Sequence, residues 1–203
     1  MKLLVHCGIS GSLIVCAVLL LFGCEMNFHS SSHGSSPKVY EVGDAGPAGG
    51  IIFYDKGFYS YNWRYLEAAP QGWYTGGDDP GFEWGLLPFL VGETDTAIGT
   101  GKANTEKIVS ELVSGTYAAK ECYDLILGLT IEGYKDWFLP SRDELNLLYE
   151  NLHQQKLGGL SNWHYWSSSE FNDGQAWSQR FIDGEQFSSR KDNEYLVRPI
   201  RSL

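Results

Sequence analysis

A turn signal between two strand-like runs near the C-terminus most constrains how this chain can fold. Asp183-Gly184 separates a run ending at Ile182 from a second polar and aromatic run ending at Arg190. Both turn residues tolerate the positive φ of a type I′ turn, which predicts a tight antiparallel hairpin. Period-two alternation gives its first strand two sides, one of Trp177, Gln179 and Phe181 and the other of Ser178, Arg180 and Ile182. Because large aromatics favour burial, we expect the first side to face the core and the second to face outward.

Two helices are predicted upstream of this hairpin. Apolar residues at helical spacing define the first, and these are Ile108, Leu112, Ala119, Cys122 and Ile126. We expect Asn104 or Thr105 to cap it, and Gly115 is a point where it can break. In the second helix, Ser141 and Glu144 have the spacing of a capping box.

Short strands complete the pattern. The runs 51–54, 63–69 and 136–139 are rich in aromatic and branched residues, and 163–203 predicts a small terminal antiparallel sheet. The glycines of 43–50 are not followed by the Lys-Ser/Thr of a phosphate loop, so we interpret them as a turn entering the first strand. Two helices with a terminal sheet indicate the α+β class.

The N-terminus predicts export and lipid attachment. Lys2 precedes an apolar run that ends at Phe22 and is too short to span a bilayer comfortably. The sequence Leu21-Phe22-Gly23-Cys24 resembles a bacterial lipobox, although Phe22 is bulky for its position. We therefore expect a signal peptide at 1–23, lipid on Cys24, and a flexible Ser-rich tether over 24–38. An uncleaved anchor and an ordinary secretory peptide are the alternatives.

Charge and cysteine content restrict the partners and the means of stabilisation. Loss of residues 1–23, whose only charged side chain is Lys2, changes the formal charge from −10 to −11. An acidic chain lacks the basic footprint that nucleic acid or a polyanion requires. Only Cys122 remains within 39–203, so no disulfide can form there and Cys122 is expected to be a small buried hydrophobe.

Catalytic and metal patterns are weak. His164 precedes Ser167, Ser168 and Ser169 without a nucleophile elbow, and no metal-ligand spacing is present. Asp78, Asp79 and Glu83 offer oxygen ligands for Ca²⁺ but lack EF-hand spacing, and the carboxylates near Glu170 and Asp183 have no defined separation. We expect no enzyme activity, no cofactor and no metal. The mixed aromatic, polar and Arg composition of the outward side is instead typical of a binding surface, with Phe171, Ile182 and Phe187 as apolar anchors.

Several motifs resemble a known family. They are Gly43-Asp44-x-Gly46-Pro47-Ala48-Gly49-Gly50, Tyr65-Leu66-Glu67-Ala68-Ala69-Pro70, Asp136-Trp137-Phe138-Leu139-Pro140-Ser141, Tyr165-Trp166-Ser167-Ser168-Ser169-Glu170 and Val197-Arg198-x-Ile200-Arg201. Over residues 39–203 the chain looks like spirochaete lipoproteins of the family named for the C-terminal domain of the Legionella collagen-like protein. The resemblance implies a C-type-lectin-like fold of the formylglycine-generating-enzyme branch.

More narrowly, the chain resembles Treponema lipoproteins that a diversity-generating retroelement varies at adenines of asparagine codons, which implies a variable region at about 163–203. The residues reachable from such codons are the implied ligand-binding set: His164, Phe171, Asn172, Asp173, Ser178, Arg180, Ile182, Asp183, Phe187, Ser188, Ser189 and Arg190. Trp177, Gln179 and Gln186 are not reachable and would be scaffold.

Two departures from wider relatives restrict function. The paired cysteines of formylglycine-generating enzymes and the calcium motifs of sugar-binding C-type lectins have no counterpart in this sequence. We therefore expect a monomeric, membrane-anchored display protein on the cell surface that binds an unidentified protein or surface ligand. A glycan- or glycosaminoglycan-binding adhesin and a degenerate enzyme are the alternatives.

Overall fold

The computed structural model of the chain describes residues 38–126 and 133–203. The predicted signal peptide at 1–23, Cys24 and the predicted tether up to Pro37 lie outside these residues. The strands, in chain order, are β1 (Ile51–Ser60), β2 (Trp63–Ala68), β3 (Gly81–Phe82), β4 (His164–Glu170), β5 (Gln175–Arg180), β6 (Gln186–Arg190), β7 (Tyr195–Leu196) and β8 (Ile200–Ser202). The helices are α1 (Gly101–Glu111), α2 (Ala118–Tyr123), α3 (Arg142–Leu148) and a π-helix (Tyr149–His153).

The strands form two sheets, and the described residues have the predicted mixed α+β character. Antiparallel pairing joins the first sheet in the order β1-β2-β8. The second sheet has the order β3-β7-β4-β5-β6. Its β4, β5 and β6 are antiparallel, as expected, but β7 pairs parallel to β4. The C-terminal stretch therefore does not form one antiparallel sheet, because β8 leaves it to pair with β2.

The helices differ from the sequence expectations mainly at their boundaries. α1 begins at Gly101, whereas the expected caps Asn104 and Thr105 are buried within it. Their side chains form hydrogen bonds to segments outside α1. Asn104 accepts from Asp95 N at 2.9 Å, and Thr105 accepts from Leu139 N at 3.0 Å. The break around Gly115 is confirmed: α1 ends at Glu111, Leu112 is already non-helical with ψ 77°, Gly115 has φ 113°, and α2 begins at Ala118.

The start of α3 is as predicted. Ser141 Oγ accepts from Glu144 N, and the Glu144 carboxylate accepts in return from Ser141 N at 2.7 Å. The segment before it, 136–139, is not the expected strand. It makes only a bridge in which the N–H and C=O of Phe138 both pair with Ile200. Pro140 directly follows and has no N–H to extend the pairing.

Two hydrophobic clusters hold the sheets and helices together. The first packs Trp84, Ile108, Trp137 and Trp166 between the helices and the second sheet. Cys122 belongs to it and is buried as a free thiol, as predicted. The second cluster packs Phe53, Leu148, Tyr165 and Phe181 between the first sheet, α3 and the π-helix. The terminal sheet thus contributes to both cores, which makes it a rigid platform.

The glycine-rich segment before β1 binds a carboxylate of the protein itself. The N–H groups of Ala48 and Gly50 donate to Glu67 at 3.0 and 2.9 Å. A Cβ on Gly46 would lie 2.3 Å from that carboxylate, and one on Gly50 would lie 2.0 Å from the Ala68 carbonyl oxygen. The interpretation as a turn is confirmed, and these two glycines are required by close approach.

Asp79 has a structural role within the described residues. Its carboxylate accepts from Arg198 at 2.7 Å, from the Trp73 indole at 3.1 Å and from the Tyr165 hydroxyl at 2.8 Å. Both the Asp79 and the Arg198 side chains are fully buried. The Asp79 oxygens are therefore already engaged with a cation and two neutral donors, which is not the arrangement of a calcium ligand.

Candidate ligand-binding surface

The two sides of β5 do not divide into a buried and an exposed side. Gln179 is fully buried, as expected, but Ser178 is only 1% exposed and the expectation that it faces outward is wrong. Ser178 Oγ lies 2.8 Å from Ser189 Oγ, so Ser189 is withdrawn from the surface as well. The cause is the central position of β5, since α3 covers one face and the first core cluster, including Ala176, packs against the other.

Trp177 and the β5–β6 connection also differ from expectation. Trp177 is half-buried, with the Arg142 guanidinium 5.1 Å from its ring centroid. The connection spans residues 181–185, and Gly184, with φ 80°, is its one residue of positive φ. It is therefore not a two-residue type I′ turn. Phe181 turns inward and is fully buried, as predicted, which leaves Ile182 at the tip with 65% exposure.

One end of the second sheet carries an aromatic–arginine cluster, defined as Trp163, His164, Arg180, Phe187 and Tyr195. His164 is the centre of this cluster. Its ring stacks on Tyr195 at 4.7 Å and lies 5.8 Å from Phe187 and 5.9 Å from Trp163. His164 pairs directly with Arg180 across β4 and β5, so both project from the same face.

Charge pairing fixes the arginine of this cluster. The Arg180 guanidinium lies 5.1 Å from the Phe187 ring centroid and forms ion pairs with Asp183 and with Glu185, the latter at 3.0 Å. The pairing with Arg180 holds the pKa of the Asp183 carboxyl below its usual value. A ligand carboxylate or phosphate that binds Arg180 must compete with these two acidic residues.

The surroundings of His164 disfavour its charged form. Burial, and then the nearby Arg180 charge, lower its pKa below the ordinary value. Among residues 38–126 and 133–203, its Nδ1 is one of two buried side-chain nitrogen or oxygen atoms without a hydrogen-bond partner. The cluster thus presents aromatic faces and a constrained guanidinium, which suits planar or apolar groups more than a simple ion.

A second group of expected site residues lies at the other end of β5, around the β4–β5 turn. Phe171 is exposed and packs edge-on against Trp177 at 5.4 Å. Asn172 Oδ1 accepts from Gly174 N at 2.9 Å, which fixes the turn, and the Asp173 carbonyl accepts from Phe89 N. Arg190 is exposed and paired with Asp192.

The expected set is therefore divided by the structure. His164, Arg180, Ile182, Asp183 and Phe187 converge at the β5–β6 end of the sheet. Phe171, Asn172, Asp173 and Arg190 lie at the β4–β5 end, and half-buried Ser188 pairs with Trp177 between them. Ser178 and Ser189 are buried. The side chains of the first group contact one another more closely than those of the second, and we treat the first group as the candidate surface.

A buried ion pair supports the turn end of this sheet. Lys191 Nζ is in contact with the Glu170 carboxylate, donates to the Phe89 carbonyl at 2.6 Å and lies 4.6 Å from the Trp84 ring centroid. The carboxylate also accepts from the N–H groups of Val91 and Gly92 at 2.9 and 2.7 Å. Every member is satisfied, so the loop before α1 is fixed to β4 and β6.

Sequence reasoning missed two members of the cluster and a neighbouring cleft. Trp163 is 60% exposed. Tryptophan is not among the residue types reachable from the rewritten codons, so the implied ligand-binding set does not include it. Tyr195 reaches His164 only through the parallel pairing of β7 with β4, for which the sequence carries no local signal. A cleft of about 510 Å³ beside Ile182 is lined by Tyr149, His153 and Leu160.

Neither a metal cluster nor a membrane-spanning helix is found in the described part of the chain. No group of three or more His, Cys, Asp or Glu side chains within 38–126 and 133–203 is arranged to hold a metal ion. Over the same residues, no helix combines the length and apolarity needed to cross a bilayer.

Comparison with known proteins supports the family expected from the motifs. No curated protein matches the chain. The family model described as the Lcl C-terminal domain matches residues 91–201, which include α1 to α3, the whole aromatic–arginine cluster and the Lys191–Glu170 pair. Since this match covers more than half of the sequence, the chain belongs to the Lcl C-terminal domain family.

Proposed function

We propose that the chain is a lipid-anchored display protein that binds a macromolecular ligand through the aromatic–arginine cluster and Ile182. The domain would have a C-type-lectin-like fold and act without a chemical step. In this proposal it is similar to the Treponema variable protein, whose C-terminal surface is diversified by a retroelement. Its partner would be a protein or another surface component met outside the cell.

The observation that carries the proposal is the contrast between the cluster and the scaffold beneath it. Trp163 and Ile182 are largely exposed, while Tyr165, Trp166 and Phe181 next to them are fully buried. Exposed aromatics beside an arginine have the composition of interface hot spots. A rigid sheet presents them without a large ordering cost on binding.

Binding can be tested on host epithelial cells with the purified mature chain and two double variants. Trp163→Ala with Arg180→Ala removes the two cluster residues that are easiest to change without opening the core. We expect at least about a tenfold loss of affinity, since each hot-spot truncation typically costs more than 1 kcal/mol. The matched control, Tyr74→Ala with Lys107→Ala, alters an exposed aromatic and a half-buried, ion-paired cation away from the cluster. Equal losses for both variants would reject the cluster as the binding site.

Diversification has a separate genetic test. Sequencing the DNA for residues 163–203 in many isolates should show substitutions at His164, Arg180, Ile182, Asp183 and Phe187. Trp166, Gln179 and Phe181 should be unchanged because they are buried. A near-copy of this DNA segment beside a reverse transcriptase gene would identify the template. Substitutions spread evenly over buried and exposed codons would contradict the proposal.

Lipid anchoring has its own test. Metabolic labelling with a radioactive fatty acid should label the wild-type chain and leave Cys24→Ser unlabelled. Labelling of both proteins, or of neither, would show that Cys24 is not the attachment site. Protease treatment of intact cells would then report whether the labelled protein is displayed outside.

Glycan binding is a second candidate, favoured by the exposed indole of Trp163. Aromatic faces of this kind stack on the apolar side of sugar rings. A glycan array probed with and without Ca²⁺ tests it. Trp163→Ala should then abolish sugar binding while Arg180→Ala has the smaller effect, the reverse of what an acidic ligand would show.

A further inference from the structure

The hairpin between β1 and β2 ends in an exposed aromatic tip, outside the candidate surface. Its members are Phe58, Tyr59 and Tyr61, which are 64%, 67% and 93% exposed. Three large aromatic side chains within four residues form an unusual patch on a solvent-exposed surface. None of them belongs to the aromatic–arginine cluster.

The turn that carries Tyr61 is a strained place for an aromatic. Ser60 pairs with Trp63, so Tyr61 and Asn62 are the two connecting residues, with φ of 49° and 63°. Such two-residue turns favour Asn and Gly at both positions because other side chains are disfavoured at positive φ. Tyr61 departs from this preference for Asn and Gly, and its ring is 93% exposed and contributes little to the fold. A residue that is locally unfavourable without a compensating packing contact is typical of a functional position.

Cations lie among these rings. Lys56 Nζ is 3.6 Å from the Trp63 ring centroid and 5.9 Å from those of Phe58 and Tyr61. Arg64 is paired with Asp55 at 2.8 Å, so Lys56 is the one charge of the hairpin end, residues 55–64, without an acidic partner there. Aromatic rings with a lysine at their edge are the composition that proteins use at the boundary between lipid headgroups and hydrocarbon.

The first described residues pack against β2, the strand that follows the tip. Lys38 lies with its Nζ 4.5 Å from the Tyr40 ring centroid, and Tyr40 packs edge-on against Tyr65 at 5.3 Å. Tyr65 is two residues along β2 from Trp63, so this contact is made on the strand that leaves the turn. The segment 24–37 has fourteen residues, and a fully extended chain of that length spans at most about 50 Å. A lipid on Cys24 would therefore keep Lys38 within about that distance of the headgroups.

The candidate surface lies at the other end of α3 and the π-helix from the tip. Trp63 at the tip borders Gly99, whose N–H donates at 2.8 Å to Glu144 in the first turn of α3. Ile182 lies beside Tyr149 and His153 of the π-helix. His153 is nine residues after Glu144, or about 13 Å along the helix axis.

We propose that Phe58, Tyr59 and Tyr61 insert into the headgroup region of the membrane to which the chain is tethered. This rests on the proposed lipid anchoring. Contact at the tip holds the domain with β1 and β2 towards the bilayer and the β5–β6 connection away from it. The occupant of the patch is a bilayer surface.

Hydrogen–deuterium exchange tests the proposal with the mature chain that begins at Cys24. Its Cys24 thiol is coupled to a maleimide lipid in vesicles of phosphatidylcholine, with or without phosphatidylglycerol, while Cys122 is fully buried and stays unmodified. The register of β1 and β2 is irregular between Asp55 and Ser60, which favours measurable exchange of the amides in this part of the hairpin. We expect peptides covering 57–62 to exchange at least about threefold more slowly on vesicles than in solution, while peptides covering 171–174 do not change.

Two triple variants complete the experiment. Phe58→Ser, Tyr59→Ser and Tyr61→Ser together should abolish the protection. The control, Leu86→Ser, Leu90→Ser and Val113→Ser, removes exposed apolar side chains elsewhere and should retain it. Equal exchange of 57–62 with and without vesicles overturns the proposal, as does protection in solution that grows with protein concentration, which would indicate a second copy as the occupant. Because the coupling is chemical, this result is independent of whether cells lipidate Cys24.

Discussion

Arg201 Nη1 lies 3.1 Å from a carboxylate oxygen of Glu67, and neither side chain is appreciably accessible to solvent. Glu67 lies in β2 and Arg201 in β8, so the pair joins the middle strand of the first sheet to the strand that ends the chain. The same carboxylate accepts from the turn before β1, and Arg201 also holds Asp136 ahead of α3. Four of the motifs that carry the family resemblance thus meet at one buried charge pair.

Removal of this arginine is expected to destabilise the domain strongly. Arg201→Met retains most of the aliphatic stem but leaves Glu67 buried without its counter-charge, at an expected cost of about 3–5 kcal/mol in the free energy of unfolding. Urea denaturation measures this cost. The matched control, Arg180→Met, breaks an exposed pair and should cost less than about 1 kcal/mol. Similar losses for the two variants would contradict the role assigned to the buried pair.

Ser178 and Ile182 should respond oppositely to substitution, although the alternation of β5 places them on the same side. Ser178→Ile forces a larger side chain against Ser189 and is expected to cost about 1–3 kcal/mol. Ile182→Ser removes an exposed side chain and should change stability by less than about 0.5 kcal/mol. Thermal unfolding, monitored by circular dichroism, measures the loss of stability in each variant. A stable Ser178→Ile protein would mean that β5 presents this side to solvent.

Gly184 is expected to tolerate no side chain. Its φ is 80°, and a Cβ there would lie 2.3 Å from Cε1 of Tyr149. Gly76 has a similar φ of 83° with nothing within 4 Å of its Cβ position, so Gly76→Ala isolates the backbone strain of about 1–2 kcal/mol. Gly184→Ala should cost about 1–3 kcal/mol more, because the Tyr149 ring must also move. Equal unfolding free energies for the two variants would show that the ring moves freely.

Glu144 should make stability depend on pH. Burial raises its pKa from 4.5 to about 7, although the N–H groups of Ser141 and Gly99 partly offset this. The folded state therefore holds a proton that the unfolded chain has lost between these two values. Its contribution to stability is full below pH 4.5 and is lost as the pH rises through 7.

This dependence can be isolated by substitution. Relative to wild type, Glu144→Gln should gain stability steadily between pH 5 and pH 8 in urea denaturation. Glu106→Gln, at an exposed position of α1, should follow the wild-type curve at every pH. Parallel curves for wild type and Glu144→Gln would show that the carboxyl is ionised in the folded protein throughout this range.

Features with a local cause could be predicted from the sequence. The capping box of α3 depends on two residues that are three positions apart in the sequence. The break between α1 and α2 was indicated by a single residue, Gly115. β2 ends before Pro70 as expected, since Pro has no N–H to continue the ladder. The inward direction of Phe181 followed from its size alone.

The errors arose where distant segments decide the structure. Alternation along β5 implies one open face, but α3 and the first core cluster cover both faces at Ser178. The expected type I′ turn at Asp183 is replaced by a longer connection in which Asp183 pairs with Arg180. The contact of His164 with Tyr195 requires a parallel pairing of segments about thirty residues apart. The π-helix had no sequence signal that we could identify.

The hydroxyl contact between Ser178 and Ser189 limits any repertoire that this surface could acquire. If the codons of both residues are among those rewritten during copying, most replacements there would be removed by misfolding before a ligand could select among them. Variation at Ile182 or Asp183 carries no such penalty. The number of functional variants would then depend less on how many adenines the template contains. It would depend more on how many of those adenines lie in codons for solvent-exposed side chains.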